Sequence, residues 1–265
     1  MCWHYGHWLF ARMFLRRSPV IRVRDQIRVG EFASFSEYWF RRHGLDREDL
    51  RVIEFARRFL PPCSVVADVG ANLGFFTLAL AGAGFEEVHA FEPTPDTCER
   101  LRANVRRNAG FAKRVVVVDH AVGAIDGDVI IVVQAGSPGQ NRIACAADDV
   151  PANRRLVRRQ VRLDTYFASS SKPAFLKVDV EGFETEVLRG ATRLLRSGAI
   201  QFIYAEIIEQ ALLEAGSSVA EIDELLREFG FQPVIFSADT ISPVPLSKAI
   251  SWAGERRNVL FHSCR

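Results

Sequence analysis

Two blocks of this chain combine carboxylates with glycines and short apolar runs, a pairing that suits group transfer from a nucleotide-like cofactor. The first is Val65-Val66-Ala67-Asp68-Val69-Gly70-Ala71-Asn72-Leu73-Gly74. An apolar strand that ends in an acid and turns on a glycine into a helix aims backbone N–H groups and a carboxylate at one point above a parallel sheet. Nucleotide-like cofactors sit at that point in doubly wound proteins. The order acid-x-G-x-x-x-G departs from the nicotinamide fingerprint G-x-G-x-x-G, because Asn72 breaks the pattern at its second glycine. A strand-end acid fits a cofactor with a positively charged amino-acid part better than one with a pyrophosphate. A tight strand–helix turn without a ligand is the structural alternative.

Glu92 closes the next apolar run, 22 residues beyond Gly70. A carboxylate there reaches the two hydroxyls of an adenosine ribose, in a nicotinamide site as well as in others. Asp119 ends a third run and is followed by His120. The acid suits an adenine amino group or a solvated turn, and His120 joins the cofactor-side candidates. His262 is the other histidine near a predicted strand end; a lone histidine is more often structural than catalytic.

The second block is Phe175-Leu176-Lys177-Val178-Asp179-Val180-Glu181-Gly182-Phe183-Glu184. Residues two apart on a strand share a face, so Lys177 and Asp179 lie together, with Glu181 and Glu184 just beyond. Glu206 interrupts an apolar run and joins this cluster if its strand neighbours that of Asp179. Ionisable groups gathered at a strand end cost desolvation free energy unless they pair or bind something. Asp179 or Glu181 is the candidate base, and Lys177 biases the cluster toward its ionised form. A deprotonated Lys177 is a second candidate base, and a salt-bridge network without catalysis is the structural alternative. Clustered carboxylates could also hold Mg²⁺, but no His or Asn stands at clear ligand spacing, so no metal ligand is assigned.

The elements that must position these residues follow from periodicity and punctuation. Residues 20–29 alternate apolar and charged around Asp25-Gln26, a hairpin pattern. Glu48 to Phe59 has helical spacing and stops at Pro61-Pro62. Beyond Pro62 the chain alternates. Strands are predicted over Val65–Asp68, Glu87–Glu92, Val115–Asp119, Val129–Val133, Val157–Leu163, Phe175–Val180, Ile200–Ile208, Pro233–Phe236 and Asn258–His262. Helices are predicted over Leu73–Ala81, from the cap Thr94 to Asn108, over Glu184–Arg196, and after the capping box Ser218 and Glu221. Residues 134–155 are rich in Gly, Ser, Pro, Asn and Asp, a long irregular segment of the kind that forms lids or binding segments. The alternation implies a mainly parallel sheet with helices on both faces. We divide the chain into residues 1–61, an N-terminal extension of helical arm, hairpin and capping helix, and residues 62–265, one catalytic domain.

Bulk properties narrow the classes. With 34 basic against 32 acidic side chains the net charge is +2, which argues against a dedicated nucleic-acid binder. Five cysteines, an odd count with no C-x-x-C pair, read as free thiols in a reducing cytosol and give a cytoplasmic expectation. No apolar run approaches the roughly 20 residues of a membrane span. The stretch from Met1 to Arg17 is aromatic and basic, with its charges after the apolar part, unlike a secretory signal. It suits a packing arm over the domain or against a partner copy in a homo-oligomer, or an interfacial membrane helix.

Taken in order, several motifs resemble the FkbM-type methyltransferase family. They are Asp68-Val69-Gly70-Ala71-Asn72-Leu73-Gly74-Phe75-Phe76-Thr77, Ala90-Phe91-Glu92-Pro93 with Leu101, Asn104 and Asn108, Leu163-Asp164, the Lys177–Glu184 block with Val187-Leu188-Arg189-Gly190-Ala191, and Glu206. The likeness runs from Ser64 to Ile208, with a weaker echo at Asn258-Val259-Leu260-Phe261. It implies an α/β class I methyltransferase fold, a Rossmann-like doubly wound sheet of seven strands with the last antiparallel. It also implies S-adenosyl-L-methionine as cofactor and O-methylation of a hydroxyl on a sugar, glycan or secondary metabolite, the acceptor being a small molecule or glycan. By position, Asp68, Gly70, Ala71, Asn72 and Gly74 would wrap the methionine part, Glu92 would take the ribose, and Asp119 with His120 would lie near the adenine. An NAD-dependent oxidoreductase and a non-catalytic adenosine-binding module are the competing readings.

Overall fold

The computed structural model describes residues 21–23, 27–30, 47–134, 141–145, 150–169, 171–237, 239–253 and 258–264. The aromatic arm expected before residue 20 lies outside them, as do parts of the 134–155 segment. Strands β1 (Ile21–Val23) and β2 (Ile27–Val29) pair antiparallel with Ile21 beside Val29, the expected hairpin. Helix α1 (Arg47–Phe59) follows, with acids in its first turn and arginines in its last, as the helix dipole favours.

The main sheet starts with β3 (Val65–Val69), α2 (Phe75–Gly82), β4 (Glu87–Phe91), α3 (Pro95–Arg107) and β5 (Val115–Val118). The chain then leaves that sheet for β6 (Ala121–Val122), β7 (Gly127–Val132), β8 (Arg142–Ile143) and β9 (Arg155–Val161). It returns through α4 (Leu163–Tyr166) to β10 (Pro173–Val178), α5 (Glu184–Arg189), α6 (Thr192–Arg196) and β11 (Phe202–Glu206). The elements α7 (Glu209–Glu214), α8 (Val219–Glu228), β12 (Phe231–Phe236), β13 (Ile241–Pro243), α9 (Leu246–Ala253) and β14 (Asn258–Ser263) complete the order.

In space the main sheet runs β5-β4-β3-β10-β11-β14-β12-β13. The strands from β5 to β11 pair in parallel, and β14 is antiparallel to both β11 and β12. These are the seven strands expected, with the last one reversed. An eighth, β13, pairs antiparallel on the outside of β12, so a three-residue strand rather than β12 presents the open edge. The central strand β3 is buried at every position, as a continuous apolar strand covered on both faces must be.

Two expectations needed correction. The runs around Val129–Val133 and Val157–Leu163 are strands and the second pairs back antiparallel on the first, but they do so outside the main sheet, in a separate four-stranded sheet, β6-β9-β7-β8. The reason is their pattern: β9 alternates exposed and half-buried positions and carries Arg155, Arg158 and Arg159, which a doubly covered sheet cannot bury. The helix expected over Glu184–Arg196 is two helices broken at Gly190-Ala191. A Cβ at Gly190 would stand 2.0 Å from Gly123 O. The buried carboxylate of Asp164 starts a new helix there by accepting from Arg193 N at 2.9 Å and Leu194 N at 3.0 Å.

Helix α1 lies on one face of the main sheet. Phe55 of α1 packs its ring 5.6 Å from that of Phe202 and 5.2 Å from that of Phe236. Tyr204 donates its hydroxyl proton to Asp49 at 3.0 Å. Tyr204 shares its face with Phe175 and Val66, and by strand alternation with Lys177 and Asp68. Cys63, Cys98, Cys145 and Cys264 are free thiols. Among the described residues no helix is long and apolar enough to cross a membrane. Phe55→Ala should lower stability by about 3–5 kcal/mol, the usual cost of emptying a buried phenyl site. Urea titration should show this as a lower midpoint at unchanged slope.

Candidate active site

The carboxyl ends of β3 and β10 meet at one ammonium group. Asp68 stands opposite Lys177 in the register of the two strands. The Lys177 Nζ lies 3.2 Å from Asp68 Oδ1 and 3.3 Å from Asp179 Oδ2, and it donates to Gly70 O at 2.9 Å. Asp68 is fully buried, and its Oδ2 accepts from Thr77 Oγ1 of α2 at 2.5 Å. Burial by itself lowers the Lys177 pKa, but the Asp179 and Asp68 carboxylates outweigh it and the net shift is upward. A lysine held in this way keeps its proton, which disfavours Lys177 as the base.

The turn after β3 is closed by its own backbone and by Glu92. Gly70 N and Ala71 N both donate to Phe91 O, at 3.1 and 2.9 Å, and Gly74 N donates to Ala71 O at 2.9 Å. Glu92 accepts from Asn72 N at 3.0 Å through Oε2 and from Thr94 N at 2.9 Å through Oε1. These N–H groups therefore hold the turn's shape instead of pointing to the space above it. The Thr94 hydroxyl also bonds to this carboxylate, so its acceptor capacity is only partly free. Burial is the largest influence on Glu92 and raises its pKa, against the N–H and hydroxyl groups of Thr94, the N–H of Asn72 and the charge of Lys177.

Gly70 has φ +79°, and a Cβ there would come within 1.8 Å of Asp179 O. Only glycine lets the turns after β3 and β10 meet back to back. Asn72 takes φ 50°, a left-handed backbone that asparagine tolerates. Its Oδ1 is buried and has no hydrogen-bond partner. An unpaired buried polar group costs about 1–3 kcal/mol, so this oxygen is one that a polar ligand would satisfy.

After β10 the chain turns through Asp179-Val180-Glu181-Gly182. Glu184 Oε1 ties this loop by accepting from Val180 N at 3.0 Å and Gly182 N at 3.3 Å. Strand β11 pairs with β10 so that Lys177 lies beside Tyr204 and Val178 beside Ala205. One step further the register carries Glu206 to Asp179, and the acid cluster forms. Burial raises Glu206 to about 9, helped by the charges of Asp179, Glu181 and Glu184 and opposed by Lys177. Glu184 is raised to about 7, mainly by burial. At neutral pH Glu206 is thus a protonated acid, able to donate a hydrogen bond. Among the described residues no group of three His, Cys, Asp or Glu side chains is arranged to hold a metal ion.

Asp119 and His120 follow β5, one strand beyond Glu92. Asp119 Oδ1 lies 3.1 Å from His120 Nδ1, and Arg102 and Arg158 approach Oδ2 at 3.7 and 3.8 Å. Burial would raise the Asp119 pKa, but His120 and the two guanidinium groups bring it below the ordinary value. Residues 141–145 form a strap between the turn after β4 and the end of α7. Asn141 Nδ2 donates to Thr94 Oγ1 at 3.3 Å, and Cys145 Sγ donates to Glu214 O at 3.3 Å.

His262 does not join the site. It pairs with Phe202 at the amino end of β11, whereas Glu206 pairs with Asn258. Asn258 stands at the acid-bearing edge because β14 runs antiparallel, a placement that needs the strand direction. Thr77 is the other residue given no role from the sequence. Its position in the first turn of the helix after Asp68 was a readable signal.

The strand order with a reversed β14 defines a class I methyltransferase fold. Residues 68–233 match the methyltransferase FkbM domain, and the chain belongs to that family. It is an S-adenosylmethionine-dependent methyltransferase of the FkbM type. It is 30% identical over 224 residues to the hexuronic acid methyltransferase AglP of Haloferax volcanii, covering 83% of this chain and 85% of that protein. The AMB antimetabolite synthetase AmbE of Pseudomonas aeruginosa is 28% identical over 209 residues, 65% of this chain and 10% of that much longer protein. The crystal structure of methyltransferase FkbM from Methylobacillus flagellatus KT shares the fold, with a TM-score of 0.51 at 16% identity. That match covers 80% of this chain, which spans 47% of the other.

The raised Glu206 carboxyl makes stability depend on pH. An acid whose pKa is higher in the native state binds its proton more tightly there. Its contribution is complete below the unfolded value near 4.5 and is lost as pH rises toward about 9. Glu206→Gln removes that slope, so its stability relative to the unmodified protein should grow across this window in denaturation series. Parallel curves for the two proteins would mean that Glu206 is already ionised at the low end.

Proposed function

We propose that the protein transfers a methyl group from S-adenosylmethionine to a hydroxyl oxygen of a sugar, glycan or secondary metabolite. The observation that carries this reading is the junction at Lys177, which gathers Asp179, Glu181 and Glu206 beside the Asn72–Glu92 turn at one sheet edge. Bound S-adenosylmethionine supplies an electrophilic methyl on a sulfonium centre. The residues present suit that group. The unpartnered Asn72 oxygen accepts from its amino-acid part, and Glu92 offers its remaining acceptor capacity to the ribose. Asp68, Gly70, Ala71 and Gly74 form the turn around the methionine end, and Asp119 with His120 borders the adenine. We assign residues 62–265 to catalysis and residues 1–61 to an N-terminal extension, of which helix α1 packs on the sheet face that carries Tyr204.

The chain contributes mainly alignment, which in well-oriented reactions is worth roughly 7–11 kcal/mol. Asp179 or Glu181 removes the acceptor's proton as the new bond forms, adding roughly 10²–10⁴-fold. Lys177 holds Asp179 by charge, and protonated Glu206 donates a hydrogen bond to the acceptor. The name of AglP supports a sugar acceptor and opens a second reading. A hexuronic acid also carries a carboxylate oxygen, which is already ionised and needs no base.

Calorimetry and activity measurements test these readings. S-adenosylhomocysteine should bind tightly and NADH should not; the reverse result sinks the methyltransferase reading of this site. With a hydroxyl acceptor, Asp179→Asn or Glu181→Gln should keep cofactor affinity and lose roughly 10²–10⁴-fold in kcat. If both variants keep full kcat on a uronic acid, the carboxylate oxygen is the acceptor and the base assignment is withdrawn.

A further inference from the structure

We propose that Asn104 is a positioning residue of the cofactor turn and that, through it, strand β2 of the N-terminal extension belongs to the cofactor site. The proposal rests on the S-adenosylmethionine reading above. Asn104 and Asn108 stand one helical turn apart on α3, and both are buried. Helix residues four apart are separated by about 6 Å along the axis. Strand residues two apart are separated by about 6.6 Å. Two amides at the first spacing can therefore meet two outward-facing peptide groups at the second.

They do so on β2 and the residue after it. Arg28 N donates to Asn108 Oδ1 at 2.8 Å, and Asn108 Nδ2 donates to Arg28 O at 2.7 Å. Gly30 N donates to Asn104 Oδ1 at 2.8 Å, and Asn104 Nδ2 donates to Gly30 O at 3.2 Å. The two side chains act as the edge of a missing strand, opposite the side on which β2 pairs with β1.

The two asparagines differ in two bonds: Asn104 Oδ1 also accepts from Arg107 Nη1 of its own helix at 2.8 Å, and the second amide protons go to different places. The second proton of Asn108 Nδ2 goes to Asn104 O, within its own helix, at 2.7 Å. The second proton of Asn104 Nδ2 goes to Leu73 O, at 2.9 Å. Leu73 lies between Asn72, with its unpartnered amide oxygen, and Gly74, where a Cβ would strike Leu101 Cδ1 of α3 at 2.4 Å. One amide thus ties together β2, α3 and the Leu73–Gly74 peptide, which follows Asn72 in the turn. A ligand that orders this turn favours docked β2, and docked β2 favours the ordered turn, since coupling between two sites is reciprocal.

Asn104→Ala and Asn108→Ala separate this role from plain support, because each removes one of the two amide clamps on β2 and only the first also releases Leu73. In calorimetric titrations with S-adenosylhomocysteine, Asn104→Ala should weaken binding about tenfold or more. Asn108→Ala should change it by less than about threefold. With saturating acceptor, Asn104→Ala should raise KM for S-adenosylmethionine and leave kcat nearly unchanged. Tryptic cleavage after Arg28 should quicken in both variants, and S-adenosylhomocysteine should slow it in the unmodified protein and in Asn108→Ala but not in Asn104→Ala. Should Asn104→Ala fail to fold, Asn104→Asp carries the same expectation, since it keeps the acceptor for Gly30 N and loses the donor to Leu73 O. Equal affinity in the unmodified protein and the Asn104 variant overturns the proposal, and so does an equal loss in both asparagine variants. A folded unmodified protein that binds no S-adenosylhomocysteine overturns the cofactor reading itself.

Discussion

The site depends on one buried cation. Lys177 brings its ammonium between Asp68 and Asp179 and onto the first carbonyl of the turn after β3. Lys177 and Asp68, each costly to bury alone, become tolerable together with the partly exposed Asp179 beside them, because opposite charges meet within one cluster. The same contact fixes the separation of the two turns. Gly70 has no side chain because Asp179 O occupies the space where one would be. An electrostatic knot and a steric requirement therefore act on the same pair of loops.

From that knot the surroundings acquire their chemistry. On one side Glu92 uses an oxygen for each of two turns, so the turn after β3 and the turn after β4 move as one piece. On the other side Glu184 braces the loop after β10 by two backbone N–H groups. Between them Glu206 meets three other acids and one lysine, and burial with like charges keeps its proton on. Within the cluster Asp179 is thus paired with Lys177, and the protonated form of Glu206 is favoured.

Helix α1 and the strap both reach elements that carry the site. Helix α1 covers the sheet face that carries the knot and reaches Tyr204 with Asp49. The strap at 141–145 touches the turn after β4 at Thr94 and the end of α7 at Glu214.

Much of this was legible in the residues in order. Apolar runs ending in Asp68, Glu92 and Asp179 marked the strand ends, since only strand termini tolerate such acids beside fully apolar neighbours. The clustering of Glu206 was conditional on its strand lying next to β10, and the register meets that condition. What misled was local continuity. The stripe through Glu184–Arg196 is helical in pattern, yet a distant carboxylate, Asp164, and a close backbone contact at Gly190 break it. Likewise the N–H groups of Gly70 and Ala71 look available in the sequence but are taken by Phe91 O of the adjacent strand.

Periodicity, punctuation and the placement of acids determined the elements, their alternation and which end of the sheet bears the chemistry, because those depend on neighbours a few residues away. Only the tertiary structure decided which face Lys177 shares, which end of β11 His262 and Asn258 occupy, and where Asn104 sends its second proton. Each of those depends on the direction and register of segments far apart in the chain, and no local pattern encodes them.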